Sequence, residues 1–98
     1  MIEVTYHGRD LPRMEIKGHS SYASAGTDIV CSAVSVLTQF VAEILKNEGL
    51  GEYEKNAGYL LIKASKKCEV SDMLFHYLLE SLISISKDYP KNLKVEVR

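Results

Sequence analysis

An α+β fold, a mixed α/β sandwich with two helices packed on a short-stranded sheet in the order ββαββαβ, is predicted by three observations. Two stretches place apolar side chains every three or four residues, the spacing of a helix that buries one stripe. Five shorter stretches are extended, several of them alternating apolar and polar residues, the period of a strand with one covered face. The connections between them are short and carry Gly, Asn or Pro, and no low-complexity tract or linker interrupts them.

The first strand rests on Ile2, Val4 and Tyr6, which alternate before His7-Gly8-Arg9-Asp10; this reads as a turn, and Leu11 to Lys17 resumes an extended pattern despite Pro12. Gly18 and Gly26 then bracket a segment of Ser, Ala and Tyr22 whose small side chains leave the backbone free to move, with His19 at the strand end. From Ile29 the positions Val30, Ala33, Val34, Leu37, Phe40, Val41, Ile44 and Leu45 form a helical stripe. Asp28 is the expected N-cap, with Thr27 the alternative, and Asn47-Glu48-Gly49 supplies the stop. Tyr53 and the run Tyr59–Ala64 predict a second hairpin joined at Lys55-Asn56-Ala57-Gly58. Ser71 is expected to cap a second helix carrying Leu74, Phe75, Leu78, Leu79, Leu82 and Ile85, which Tyr89-Pro90 ends. Leu93 to Arg98 alternates and reads as a strand with one wet face. The two ββα units form a weak pseudo-repeat in pattern, without a residue-level match.

Composition narrows the function classes. The chain has 98 residues, 46% hydrophobic and 26% charged, which suits one domain over residues 1–98 with a modest core. A net charge of −1 gives no global attraction to nucleic acid or anionic lipid, so no direct nucleic-acid partner is expected. The N-terminus alternates instead of presenting a basic region and an apolar signal core, and no membrane span is expected. Two cysteines in such a chain read as reduced thiols in a cytoplasm.

The chemistry-bearing pair is His19 and Cys31, twelve positions apart at the two ends of the small-residue segment. If Asp28 is the cap, Cys31 is the third helical residue, where unpaired N–H groups and the positive helix end favour thiolate. A histidine alongside completes a nucleophile and base pair, and a helix-start amide could serve the oxyanion. The alternative is that Cys31, inside Ile-Val-Cys-Ser-Ala-Val, is a small core residue. Asp28 can cap the helix, orient His19, or do both. Ser35, one turn beyond Cys31, can bond near the thiol or back to a backbone carbonyl. Tyr22 can contact a bound peptide or pack on the fold.

The other titratable residues are weaker candidates. His7 in a turn, His76 in the second helix and Cys68 in the charged connection Lys66-Lys67-Cys68-Glu69 read as surface residues. Neither cysteine has a Cys or His two to four residues away, so no metal site is expected, and no phosphate-binding or dinucleotide motif occurs. No cofactor is expected.

Gly18-His19, Tyr22-Ala23, Gly26, Asp28-Ile29-Val30-Cys31 and Ala33-Val34-Ser35 together resemble the signature of the bacterial ribosomal-processing cysteine protease family, Prp. Chain length and element order are similar too, so the resemblance spans the whole chain; Ser20-Ser21 departs from it where an alanine is more usual. The resemblance implies an endopeptidase that removes an N-terminal extension from large-subunit ribosomal protein twenty-seven, with that N-terminal peptide as partner substrate and a homodimeric enzyme. It makes Cys31 the nucleophile and His19 the base, places Asp28 and Ser35 in the supporting set, and lets the glycine-flanked loop close over the peptide. Two other classes use the same residues differently: a non-catalytic ribosome-associated assembly or binding factor, and a thiol redox sensor.

Overall fold

The chain folds in the order β1 (Ile2–His7), β2 (Arg13–Lys17), α1 (Ala25–Asn47), β3 (Gly51–Asn56), β4 (Tyr59–Ala64), α2 (Glu69–Asp88) and β5 (Leu93–Val97). This computed structural model describes residues 1–18 and 25–98, the side chains of 25–28 excepted. All five strands join one sheet in the order β3-β4-β2-β1-β5, antiparallel except for the β1–β5 pair. The ββαββαβ order and the α+β class are those the sequence predicts.

Alternation decides which face is covered. Register sets Val4 against Ile16, Ile16 against Leu60 and Met14 against Ile62, so the apolar halves of neighbouring strands share one face. Val30, Val34, Val41, Ala42 and Leu45 of α1 and Phe75, Leu78 and Leu82 of α2 lie on it in a single buried cluster. Phe75 is fully buried with the Tyr6 ring tilted 5.8 Å away. Burying each such large apolar side chain contributes roughly 1.5–3 kcal/mol. The opposite face carries Glu3, Thr5, His7, Arg13, Glu15 and Lys17 and stays wet.

Three local expectations are corrected. α1 begins at Ala25, so Asp28 is its fourth residue and Thr27 its third; neither is the N-cap, and Cys31 is the seventh residue instead of the third. The apolar stripe starts at Val30 and marks which face is buried, not where the first turn begins, and Gly26 costs little in a turn whose N–H groups have no intrahelical partner. The cap of α2 is Cys68, not Ser71: the Cys68 Sγ accepts from the Ser71 N–H at 3.4 Å, and the Ser71 hydroxyl donates to the Cys68 carbonyl at 3.2 Å. The Ser71 hydroxyl, 3.2 Å from the sulfur, and the Ser71 N–H hold the Cys68 thiol below its ordinary range. His7 ends β1 instead of sitting in a turn; its side chain is about three-quarters covered, with Nε2 4.0 Å from Glu15 Oε1.

The far end of α1 follows expectation. The Leu50 N–H donates to the Leu45 carbonyl at 2.8 Å and the Gly49 N–H to the Lys46 carbonyl at 3.2 Å, with Gly49 at φ +69°, a left-handed stop that glycine adopts without strain. By length and composition alone, Ile29–Asn47 is apolar enough to cross a bilayer, at mean hydropathy 1.6, a reading the N-terminal pattern did not raise. The fold buries Val30, Val34, Val41 and Leu45 of that helix against the sheet but leaves Phe40, expected in the buried stripe, exposed on the outer side with Ile29 and Val36.

Candidate active site

Beside its buried stripe, α1 presents Cys31, Ser35, Thr38 and Gln39, four residues at i, i+4, i+7 and i+8 that share one side of the helix. Three other parts of the chain meet that side: the start of β1 with Ile2, the end of β2 with Ile16 and Gly18, and the β3–β4 hairpin with Lys55, Asn56, Gly58, Tyr59 and Leu60. Between them lies a cleft of about 150 Å³. Ile2, Ile16, Val34 and Leu60 are buried and supply its apolar part; the buried Thr38 and the exposed or half-buried polar residues supply the rest.

Hydrogen bonds fix these walls. Lys55 Nζ donates to Gln39 Oε1 at 3.1 Å, tying β3 to α1. The buried Thr38 hydroxyl donates to the Val34 carbonyl at 2.7 Å. On the opposite, wet face of the sheet, Tyr59 donates its phenol to Glu15 Oε2 at 3.0 Å, and burial together with the Glu15 carboxylate raises that phenol above its ordinary range, so it remains a donor. The Gly18 N–H donates to the Gly58 carbonyl at 2.9 Å, joining the end of β2 to the hairpin turn.

Gly18 is required where it stands. Its φ is +92°, and a Cβ there would run into the Met1 carbonyl oxygen. Gly18→Ala is expected to cost about 1–3 kcal/mol, from an unfavourable φ and a backbone collision that no side-chain rotation relieves. A thermal melt checks this, at roughly 4–8 °C per kcal/mol for a domain of this size; an unchanged melting temperature would contradict it.

The predicted site residues fall out unevenly. Cys31 is half-buried: it packs against the core cluster and also lines the cleft, so both readings of it describe part of its surroundings. At the seventh helical position it stands beyond the first turn, where the field of the helix end has fallen off, so the helix-start argument for the thiol and for its oxyanion amide does not apply to it. Ser35 lines the same cleft and is exposed; its carbonyl accepts from the Thr38 hydroxyl at 3.4 Å. Gly26 and Asp28 lie in the first turn of α1 with their side chains outside the described residues, and His19 and Tyr22 lie outside them altogether. His19 is the residue bonded to Gly18, which lines the cleft. Cys68 caps α2, and His76 stands exposed on α2 with Nε2 3.4 Å from Glu80 Oε1.

Thr38, Gln39, Lys55, Asn56 and Tyr59 were not anticipated. The first two extend a polar stripe from Cys31 that helical spacing makes visible. The other three arrive through the packing of α1 across the edge strand β3, for which no local signal exists.

A family model for the cysteine protease Prp matches residues 1–94. Comparison with curated proteins gives no match. Among solved structures, the chain is similar to the essential ribosomal processing protease Prp of Staphylococcus aureus in complex with a substrate peptide, with a TM-score of 0.85, 18% identity and all of both chains covered. It is similar to the same protease with a covalently linked product peptide, at a TM-score of 0.83, 20% identity and full coverage of both. SMU.848 of Streptococcus mutans matches at a TM-score of 0.81 and 23% identity, over 99% of this chain and 93% of that one. At such identities the structural likeness is one of fold.

Proposed function

The chain belongs to the family of the cysteine protease Prp, and from that premise we propose that it removes the N-terminal extension of large-subunit ribosomal protein twenty-seven, with Cys31 as nucleophile and His19 as base. The observation that carries the assignment is the shared cleft: Cys31 and Ser35 line it from α1, and Gly18, to which His19 is bonded, lines it from β2. A fold similar to that of a ribosomal processing protease with a bound substrate peptide and a covalently linked product supports both the substrate class and a covalent route.

The reaction follows from these groups. His19 accepts the thiol proton as the Cys31 sulfur attacks the scissile carbonyl carbon, and the carbonyl electron pair moves onto oxygen. Collapse of that intermediate breaks the C–N bond, and His19 returns the proton to the departing amine. A water that loses its proton to the same imidazole then hydrolyses the thioester, releasing the extension as a carboxylate and regenerating the thiol. Because Cys31 stands beyond the first helical turn, the proton transfer depends on the histidine more than on the helix end. Asp28 and Ser35 belong to the supporting set of this reading.

The test is direct. Purified protein is incubated with the extended ribosomal protein of the same organism, and the product N-terminus is read by mass spectrometry, with Cys31→Ser as control. One new N-terminus at the end of the extension, missing in the control, is expected; an intact substrate would sink the assignment.

The same reading makes the enzyme a cytoplasmic homodimer. The dimer is supported by the large apolar side chains exposed on both helices, Ile29, Val36 and Phe40 of α1 and Val70, Met73 and Tyr77 of α2. The double variant Val36→Glu, Phe40→Glu is expected to sediment as a monomer where the parent sediments as a dimer; a dimer surviving both charges would place the interface elsewhere.

A further inference from the structure

The wet face of the sheet carries a row of basic residues remote from the cleft. Register sets Lys63 beside Arg13 and Arg13 beside His7. Arg98 extends the row past β5, its N–H on the Tyr6 carbonyl at 2.8 Å and its carbonyl accepting from the Gly8 N–H at 3.4 Å. Arg9 joins from the β1–β2 turn. Like charges on adjoining strands repel, and the fold relieves this only in part. Glu96 pairs with Arg98 at 3.0 Å and Lys94 at 3.1 Å. Glu15 stands 4.0 Å from both His7 and Lys17, and Glu52 faces Lys63 across the β3–β4 pair. Among the described residues, Arg9 and Arg13 have no carboxylate within salt-bridge distance. The wet face as a whole is nearly balanced in charge, but at the end where β1, β2 and β5 meet the β1–β2 turn, Arg9, Arg13 and Arg98 outnumber Asp10, the one carboxylate side chain among the described residues bordering the hollows there.

Two adjoining hollows make that excess specific. One of about 350 Å³ is bounded, among the described residues, by His7, Arg9 and Arg98. Its neighbour, about 320 Å³, is bounded by His7, Arg9, Asp10, Leu11 and Arg13. They share His7 and Arg9, so a ligand filling both would meet three guanidinium groups whose forked N–H donors match the oxygens of tetrahedral oxyanions. We propose that this end of the sheet binds a ligand with adjacent phosphoryl groups, one in each hollow, supplied by a free oligophosphate or by the backbone of an RNA strand. β2 separates the site from the cleft: Arg13 begins it and Gly18 follows its end, roughly 15 Å away at the rise of a strand. Occupancy is thus compatible with an open cleft.

The test is a two-dimensional NMR titration of the full chain with inorganic pyrophosphate at low ionic strength, repeated with oligouridylate. Amide shifts are expected in His7–Arg13 and Arg98, with orthophosphate the weaker ligand. The double variant Arg9→Gln, Arg98→Gln is expected to weaken pyrophosphate about tenfold while leaving peptide cleavage unchanged. Both side chains are exposed, and a melt of the variant shows that it is folded. Tighter binding of oligouridylate identifies the backbone as the source; tighter binding of pyrophosphate identifies the free anion. Absent shifts with both probes, or a folded double variant that binds as the parent does, would overturn the proposal.

Discussion

Cys31→Ala is expected to reduce kcat for a peptide spanning the extension junction by on the order of 10⁴-fold or more, the scale at which loss of a nucleophile leaves only positioning and electrostatics to act. The fold is expected to survive, because Cys31 is half-buried at the cleft edge and alanine keeps its helix in register. That combination separates the nucleophile from the core-residue reading, which predicts a loss of stability with cleavage preserved in whatever protein remains folded. Cys68→Ala is the internal control: the other thiol of the chain caps α2 and does not line the cleft. Full cleavage by Cys31→Ala would remove the sulfur from the mechanism, and inactivation by Cys68→Ala alone would move it.

His19→Ala is the second large effect, with a fall in kcat on the order of 10²- to 10⁴-fold, the range a positioned general base contributes. Its particular signature is rescue: imidazole added to the solution should restore part of the His19→Ala rate and none of the Cys31→Ala rate, because a missing proton acceptor can be supplied from solvent and a missing nucleophile cannot. Identical responses of the two variants to imidazole would contradict the assignment of roles. A redox sensor would show neither effect, since it forms no peptide product for the base to assist.

Much of the architecture is legible in the sequence because it rests on period. Val30, Val34, Val41 and Leu45 repeat at the helical spacing and become the buried stripe of α1, with Phe40 of the same pattern left exposed, while Met14 and Ile16, or Leu60, Ile62 and Ala64, alternate and become covered strand positions. Gly49 marks its helix end because only the left-handed region satisfies the last carbonyls in that way. What is not legible depends on competition between local options or on distance in the chain. The Ser71 hydroxyl is an obvious cap, but Glu69 and Val70 extend α2 back until the Cys68 sulfur takes that place. His7 looks like a turn residue until pairing with Arg13 carries β1 through it.

The candidate site divides along the same line. Cys31 and Ser35 share a helix side by spacing alone, and Gly18 stands out as a glycine at a strand end. That Asn56, Tyr59 and Lys55 come to the same cleft follows from β3 lying at the sheet edge beneath α1, a consequence of strand order that no window of sequence contains. The Gly18–Gly58 hydrogen bond that joins β2 to the hairpin turn spans forty residues of chain.

The measurement closest to the central claim is covalent capture of the nucleophile. A peptide with the sequence of the extension, ending in a thiol-reactive electrophile in place of the scissile carbonyl, is incubated with the protein, and the adduct is located by peptide mapping. One adduct per chain on Cys31, formed much more slowly in His19→Ala and blocked by excess uncleaved peptide, is the predicted result. An adduct on Cys68, or labelling of Cys31 that neither His19→Ala nor competing peptide slows, would contradict it.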